Sequence, residues 1–214
     1  MSGALRAIQR NALGLGLFAA LTAGAIGVTH ILTAERIEQQ RELATARARA
    51  AVLPEAVSLD ADNTHPVTLP ANDATGIREG AEAMLVTPDN NAPILIMPVT
   101  APNGYSGRID LILGVRGDGT LTGVRATDHQ ETPGLGDAIE AAKSDWILAF
   151  NGRSLDNPVP EQWGVGGDNA FDALSGATIT SRAVVDAVRR GLVFTAAHRE
   201  RLFATNNGEG AGNP

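Results

Sequence analysis

The sequence predicts an α+β protein: one N-terminal transmembrane helix, then a single domain with a small, mostly antiparallel sheet and flanking helices. Three observations carry this. Residues 11–33 contain no Asp, Glu, Lys or Arg. Arg108 to Arg116 alternates, with Ile109, Leu111, Leu113 and Val115 on one face, and Gly117-Asp118-Gly119 follows; that is a half-buried strand and its turn. Near the end, Val184, Val188 and Leu192 fall at helical spacing. Strand and helix signals alternate irregularly, so a doubly wound parallel sheet is not indicated.

Residues 1–10 form a short N-terminal segment ahead of the apolar run. About 20 residues cross a hydrocarbon core, so residues 11–33 are long enough to span it as a helix. Gly14, Gly16, Gly24 and Gly27 give this helix small positions that let another helix approach. The competing reading is a cleaved signal peptide, with Arg6 and Arg10 as its basic region and Ala23-Gly24-Ala25 as its cleavage motif. The apolar stretch runs on through Ile26, Val28, Ile31 and Leu32, which favours the anchor. Arginines flank both ends, mixed with glutamates after the span, so charge counting does not orient it.

Residues 34–75 are expected to hold a juxtamembrane helix and a connector. Strong helix formers fill 34–52 without Gly or Pro, and Pro54 ends the helix. Residues 55–80, rich in Asp, Asn, Thr, Gly and Pro, read as irregular chain with short strands. The domain proper is placed at 76–204. Pro93 to Val99 is a short apolar run, and Leu121 to Thr127 pairs back on the 108–116 strand as a hairpin. Asp137 to Lys143 and Trp146 to Phe150 read as short helices. Ser181 or Thr180 is expected to cap a final helix reaching about Phe203. The tail, 205–214, reads as disordered.

Composition removes several function classes. Aromatics make up 4% and the net charge is −7, which disfavours a base-stacking or phosphate-backbone surface. There is no cysteine, so cysteine-ligated clusters, disulfides and thiol catalysis are excluded within the chain. Four scattered histidines disfavour a histidine metal site. Redox chemistry would have to come from an organic cofactor.

Two segments could carry chemistry. Asp172-Ala173-Leu174-Ser175-Gly176-Ala177-Thr178-Ile179-Thr180-Ser181 places small and hydroxyl residues at a helix N-terminus. Free backbone N–H groups and the positive dipole end there suit a phosphate, and Gly176 lets the backbone approach a ligand closely. On local physics alone, a plain helix cap after a tight loop explains the same residues. His129-Gln130-Glu131-Thr132-Pro133-Gly134-Leu135-Gly136-Asp137 reads as a turn entering a helix. His129 and Glu131 invite an acid–base or metal reading, beside that of a solvated loop.

The two segments, in this order and after one membrane helix, resemble the FMN-binding subunits of two related membrane complexes: the G subunit of the Rnf electron transport complex and the C subunit of the sodium-translocating NADH:quinone reductase. The family's flavinylation signal is Asp, two variable residues, Ser or Thr, Gly, Ala and Thr. Asp172, Ser175, Gly176, Ala177 and Thr178 match it, jointly with Glu131-Thr132-Pro133-Gly134-Leu135-Gly136. Overall length, Lys143-Ser144-Asp145-Trp146 and Phe150-Asn151-Gly152 tilt the resemblance toward the Rnf protein.

The resemblance implies an FMN-binding domain after the anchor, with FMN joined to Thr178 by a phosphoester that a flavin transferase installs from FAD. Asp172 and Ser175 would belong to the signal the transferase reads or would shape its loop. Gly176 and Ala177 would leave room for the phosphate. Glu131, Thr132, Leu135 and Gly136 would line the isoalloxazine. It further implies a relay without its own catalytic residues or metal, working beside the other subunits of an ion-translocating ferredoxin:NAD oxidoreductase-type complex. The resemblance places the chain in a bacterial inner membrane, residues 1–10 cytoplasmic and the FMN domain periplasmic. The alternatives are the corresponding part of the quinone reductase and an anchored, non-redox module that binds a phosphorylated ligand. A flavin domain serving a different reductase is a third.

Overall fold

The computed structural model describes residues 2–89 and 91–204; the tail read as disordered lies outside them. The chain divides into two compact units, Met1–Ala44 and Thr45–Pro214. The first is helical. Helix α1, Ser2–Ala51, is 50 residues long, and its apolar stretch has a mean hydropathy of 1.8, long and apolar enough to cross a membrane. It ends where Leu53 N–H bonds back to the Ala50 carbonyl and Pro54 offers no N–H to continue the ladder.

The second unit is an antiparallel meander of five strands in sequence order. These are β1 (Thr64–Thr68), β2 (Glu82–Val86), β3 (Ile94–Ala101), β4 (Ile109–Arg116) and β5 (Leu121–His129). The β4–β5 hairpin turns through Gly117–Gly119, with Gly119 N–H on the Arg116 carbonyl and Gly119 at φ 92. β1 lies within the 55–80 stretch where short strands are expected, and Leu69, just after it, is buried.

One face of the sheet packs on α2, Thr178–Ala197, whose Val184, Val188 and Leu192 are buried with Leu95, Met97, Val99, Leu111 and Leu113. The approach is close: a Cβ on Gly191 would lie 2.7 Å from Leu113 Cδ2. A short helix, α3 (Arg199–Leu202), follows. The final helix expected to reach Phe203 is therefore broken at His198, which caps the C-terminus of α2.

β4 is buried on both faces, where alternation suggests one. Ala48, Val52, Leu53 and Val57 cover its other side, packing on Val86, Ile94, Ile96 and Ile112 of the sheet. The reason lies in two glycines. Gly114 and Gly123 are register partners, and a Cβ on Gly123 would approach Val52 Cα to 3.0 Å. Their missing side chains open a notch that seats Val52, whose carbonyl accepts the Thr122 hydroxyl at 2.5 Å.

Between β5 and α2 the chain forms three 3-10 turns, Gly136–Ile139, Trp146–Phe150 and Pro160–Gln162. Phe150, Trp163 and Phe171 stack at 4.5–6.5 Å between ring centroids, with Trp146 edge-on to Phe150. This aromatic knot holds the long connection against the sheet and delivers the chain to the start of α2.

Candidate functional site

The first segment begins as β5 ends. Glu131 N–H donates to His129 Nδ1 at 3.2 Å, and His129 Nε2 lies 3.2 Å from Glu140 Oε1. A ring nitrogen that accepts carries no proton, so this network assigns the His129 hydrogen to Nε2. Leu135 N–H then closes a turn on the Thr132 carbonyl at 3.1 Å. Pro133 occupies its second position and Gly134, at φ 80, its third, as a type II turn requires. Gly134 N–H donates to Asp137 Oδ1 at 2.7 Å, and Lys143 Nζ sits 2.9 Å from Asp137 Oδ2 and 2.6 Å from Glu140 Oε1. The Lys143 ammonium, seconded by the Gly134 N–H, holds the Asp137 carboxyl below the usual range; Glu140 and then Asp137 push Lys143 up.

The second segment repeats the device. Ala177 N–H bonds to the Leu174 carbonyl at 2.9 Å, with Gly176 third in the turn at φ 74. Trp146 Nε1–H donates to the Asp172 carbonyl at 2.7 Å, and Leu174 N–H donates to Ser181 Oγ at 3.0 Å. The loop is thus clamped at both ends, by the aromatic knot and by the helix it enters.

Helix α2 starts at Thr178, earlier than the sequence suggests. Ala177 holds the cap position with no side-chain bond, so neither Thr180 nor Ser181 is the cap. Both hydroxyls point inward and are buried. Ser181 Oγ donates to the Ala177 carbonyl at 3.0 Å, a back-bond of the kind serine makes inside a helix. Thr178 is exposed in the first turn, where helical N–H groups have no intrahelical acceptor.

The structure brings the two segments together. A Cβ on Gly176 would lie 3.1 Å from Leu135 Cδ2, and one on Gly136 would lie 2.9 Å from Glu131 Cβ and 3.1 Å from Thr180 Oγ1. Thr180 Oγ1 and Glu131 Oε2 are 2.5 Å apart. Asp172, Ser175, Gly176, Thr178, Thr132 and Leu135 lie toward the surface, whereas Ala177, Glu131 and Gly136 are buried. Glu131 is only 4% exposed, and its other oxygen accepts Ser106 N–H at 3.0 Å. It therefore faces the interior, whereas the turn that follows it, Thr132 to Leu135, is exposed as a solvated loop would be. Sequence reasoning missed the loop containing Ser106, because only a bond across 25 residues ties it to the site. A cavity of about 600 Å³ on the other face of the sheet, bordered by Arg49, Met84, Ile96 and Arg108, contains none of these residues.

The chemistry fits an FMN. The N-terminus of a 20-residue helix, an open hydroxyl and a glycine in the left-handed region give a phosphate a polar, uncrowded seat. Exposed Leu135 and the turn beside it offer an apolar edge and backbone polar groups to a flat ring.

The family described as FMN-binding domain matches residues 104–193, and that described as the RnfG N-terminal region matches residues 1–52. The chain is 40% identical to the G subunit of the ion-translocating oxidoreductase complex of Pseudoalteromonas atlantica, over 94% of each chain. It is 41% identical to the corresponding protein of Pseudomonas aeruginosa, over 96% of each. With that of Vibrio cholerae the identity is 38%, over 95% of this chain and 97% of the relative.

Proposed function

This chain belongs to the G-subunit family of ion-translocating oxidoreductase complexes, and on that premise we propose that it relays electrons through an FMN held as a phosphoester on Thr178. It is an FMN-binding subunit of such a complex, with an N-terminal helix able to cross the membrane once. The observation that carries the covalent reading is the exposed Thr178 hydroxyl at the first position of α2, in the turn that follows left-handed Gly176.

In this reading the α2 N-terminus and the Ser175–Ala177 loop hold the phosphate. Thr132, Leu135 and Gly136 border the ring. Glu131, expected beside them, turns both oxygens inward to Ser106 N–H and Thr180 Oγ1. Asp172 belongs to the surface that a flavin transferase reads. Attachment removes the Thr178 proton, forms an O–P bond to the FMN phosphorus of FAD and releases AMP. A threonine hydroxyl needs external activation for this step. Among the described residues, the Thr178 hydroxyl has no hydrogen-bonded base, which supports a separate enzyme. FMN, once bound, supplies the electron chemistry; the protein orients it and shapes its surroundings. A tether prevents cofactor loss on the periplasmic side of a bacterial inner membrane, where we place the domain. The partners are the other subunits of the complex.

The test is the intact mass of the full chain, produced in membranes together with its transferase, with in-gel flavin fluorescence after denaturation. Wild type should gain about one FMN and Thr178→Val should not. An unmodified wild type, with the transferase shown active on another substrate, overturns the covalent reading and favours a module that binds a phosphorylated ligand through backbone amides.

A further inference from the structure

Glu131 is a buried carboxylate that joins three separate pieces of chain. Its Oε1 accepts Ser106 N–H at 3.0 Å and its Oε2 meets Thr180 Oγ1 at 2.5 Å. Its own N–H is on His129. The packing allows no slack: a Cβ on Gly104 would lie 2.7 Å from Oε1, and one on Gly136 would lie 2.8 Å from Oε2. Ser106 N–H can only donate, and the Thr180 hydroxyl can donate, so the pair forms the environment of an acceptor-only carboxylate. That charge lies against the inner side of the first turn of α2, two residues beyond Thr178.

We propose that Glu131 is a positioning residue which does not touch the flavin, and that its buried charge, shared with Thr180, sets the reduction potential of the FMN. The proposal rests on the flavin being carried at Thr178. Reduction adds electrons, and hence negative charge, to the cofactor. A fixed carboxylate close by in a poorly screened interior opposes that addition, and it also offsets the positive end of the α2 dipole. The protein would thus hold its flavin at a lower potential than the helix N-terminus alone provides. The Thr180 proton tempers the effect by taking up part of the carboxylate's field.

Two changes then act in opposite directions. Glu131→Gln keeps the shape and removes the charge, so reduction becomes easier and the potential rises. Thr180→Val keeps the charge and removes the hydroxyl that shares it, so the potential falls. A loop that had merely loosened would move both variants the same way.

The experiment is a reductive titration of the full chain, flavinylated in membranes and purified in detergent, followed by flavin absorbance. In-gel fluorescence reports loading separately. The expected result is a shift of the reduction equilibrium upward by about tenfold or more in Glu131→Gln, about 30 mV for a two-electron couple, and a shift downward in Thr180→Val. Asp186→Asn, an exposed carboxylate ion-paired to Arg190 further along α2 and away from this pair, should leave the potential in place. Loaded variants with the wild-type potential, or both displaced in the same direction, overturn the proposal. If only one variant loads flavin, its sign decides. Loss of flavin from both, in chains that remain folded, assigns the pair to cofactor retention and also overturns it. A wild type without flavin would instead remove the reading beneath it, and the fluorescence distinguishes that case.

Discussion

Thr180 and Glu131 are 49 residues apart in sequence and 2.5 Å apart at Oγ1 and Oε2, both of them buried. This pair fastens the turn after β5 to the first turn of α2. It turns two loops, each with an ordinary explanation on its own, into one site. The glycines on either side, Gly136 and Gly176, keep the contact surface thin enough for the loops to meet.

Gly176 and Gly134 both sit in the left-handed region, so alanine at either position should strain the backbone by about 1–2 kcal/mol. Only Gly176 of the two also faces a neighbour: its Cβ would stand 3.1 Å from Leu135 Cδ2, whereas Gly134 has open space. Gly176→Ala should therefore lower flavin loading as well as the denaturation midpoint, while Gly134→Ala lowers the midpoint alone. In-gel fluorescence beside urea unfolding of the full chain checks both; equal loading in the two variants would refute the distinction.

The Asp137–Lys143 contact gives a pH dependence with a definite sign. Asp137 has a folded-state pKa below its ordinary 3.8, so its contribution is present above that value and is lost as pH falls through the folded pKa. Lys143 is raised above 10.5, so its contribution is present below 10.5 and is lost as pH rises beyond the folded value. Asp137→Asn should flatten the acid limb of stability below about pH 4 and relax the Gly134 turn. Thermal unfolding of both proteins in detergent across the acid range, up to neutrality, measures it; parallel acid limbs would count against the contact.

At Gly191 two effects compete. Alanine improves helix propensity by about 1 kcal/mol, but its Cβ would lie 2.7 Å from Leu113 Cδ2 and 3.1 Å from Val99 Cγ2. Both neighbours are in the core, where overpacking costs about 1–3 kcal/mol. Packing should win, leaving Gly191→Ala less stable in urea unfolding. A stabilised variant would mean that α2 can lift off the sheet.

Much of this is legible in the sequence, for local reasons. The charge-free run, the Gly117–Gly119 turn and the alternation of Ile109, Leu111, Leu113 and Val115 follow from chain-neighbour chemistry, and the structure shows each of them. The start of α2 is harder, because Thr180 and Ser181 look like caps. Each has a better partner elsewhere: Glu131 for one, the Ala177 carbonyl and Leu174 N–H for the other. The short strands expected in 55–80 cannot be placed from sequence, because β1 sits in a polar, proline-containing stretch that takes its order from Glu82–Val86. The second covered face of β4 carries no hydrophobic signal where glycine shapes it, at Gly114 and at its partner Gly123.

The seating of Val52 in the Gly114–Gly123 notch has a practical consequence for anyone cutting the chain. A fragment that starts after the helix, at Leu53, discards Ala48 and Val52 and leaves Leu53, Val57 and Leu59 as the only cover over Ile96 and Ile112. Such a fragment should clump through that thinned patch. One beginning at Thr45, the first residue of the second compact unit, keeps its own stopper and is the form suited to crystals, spectroscopy and partner-binding assays.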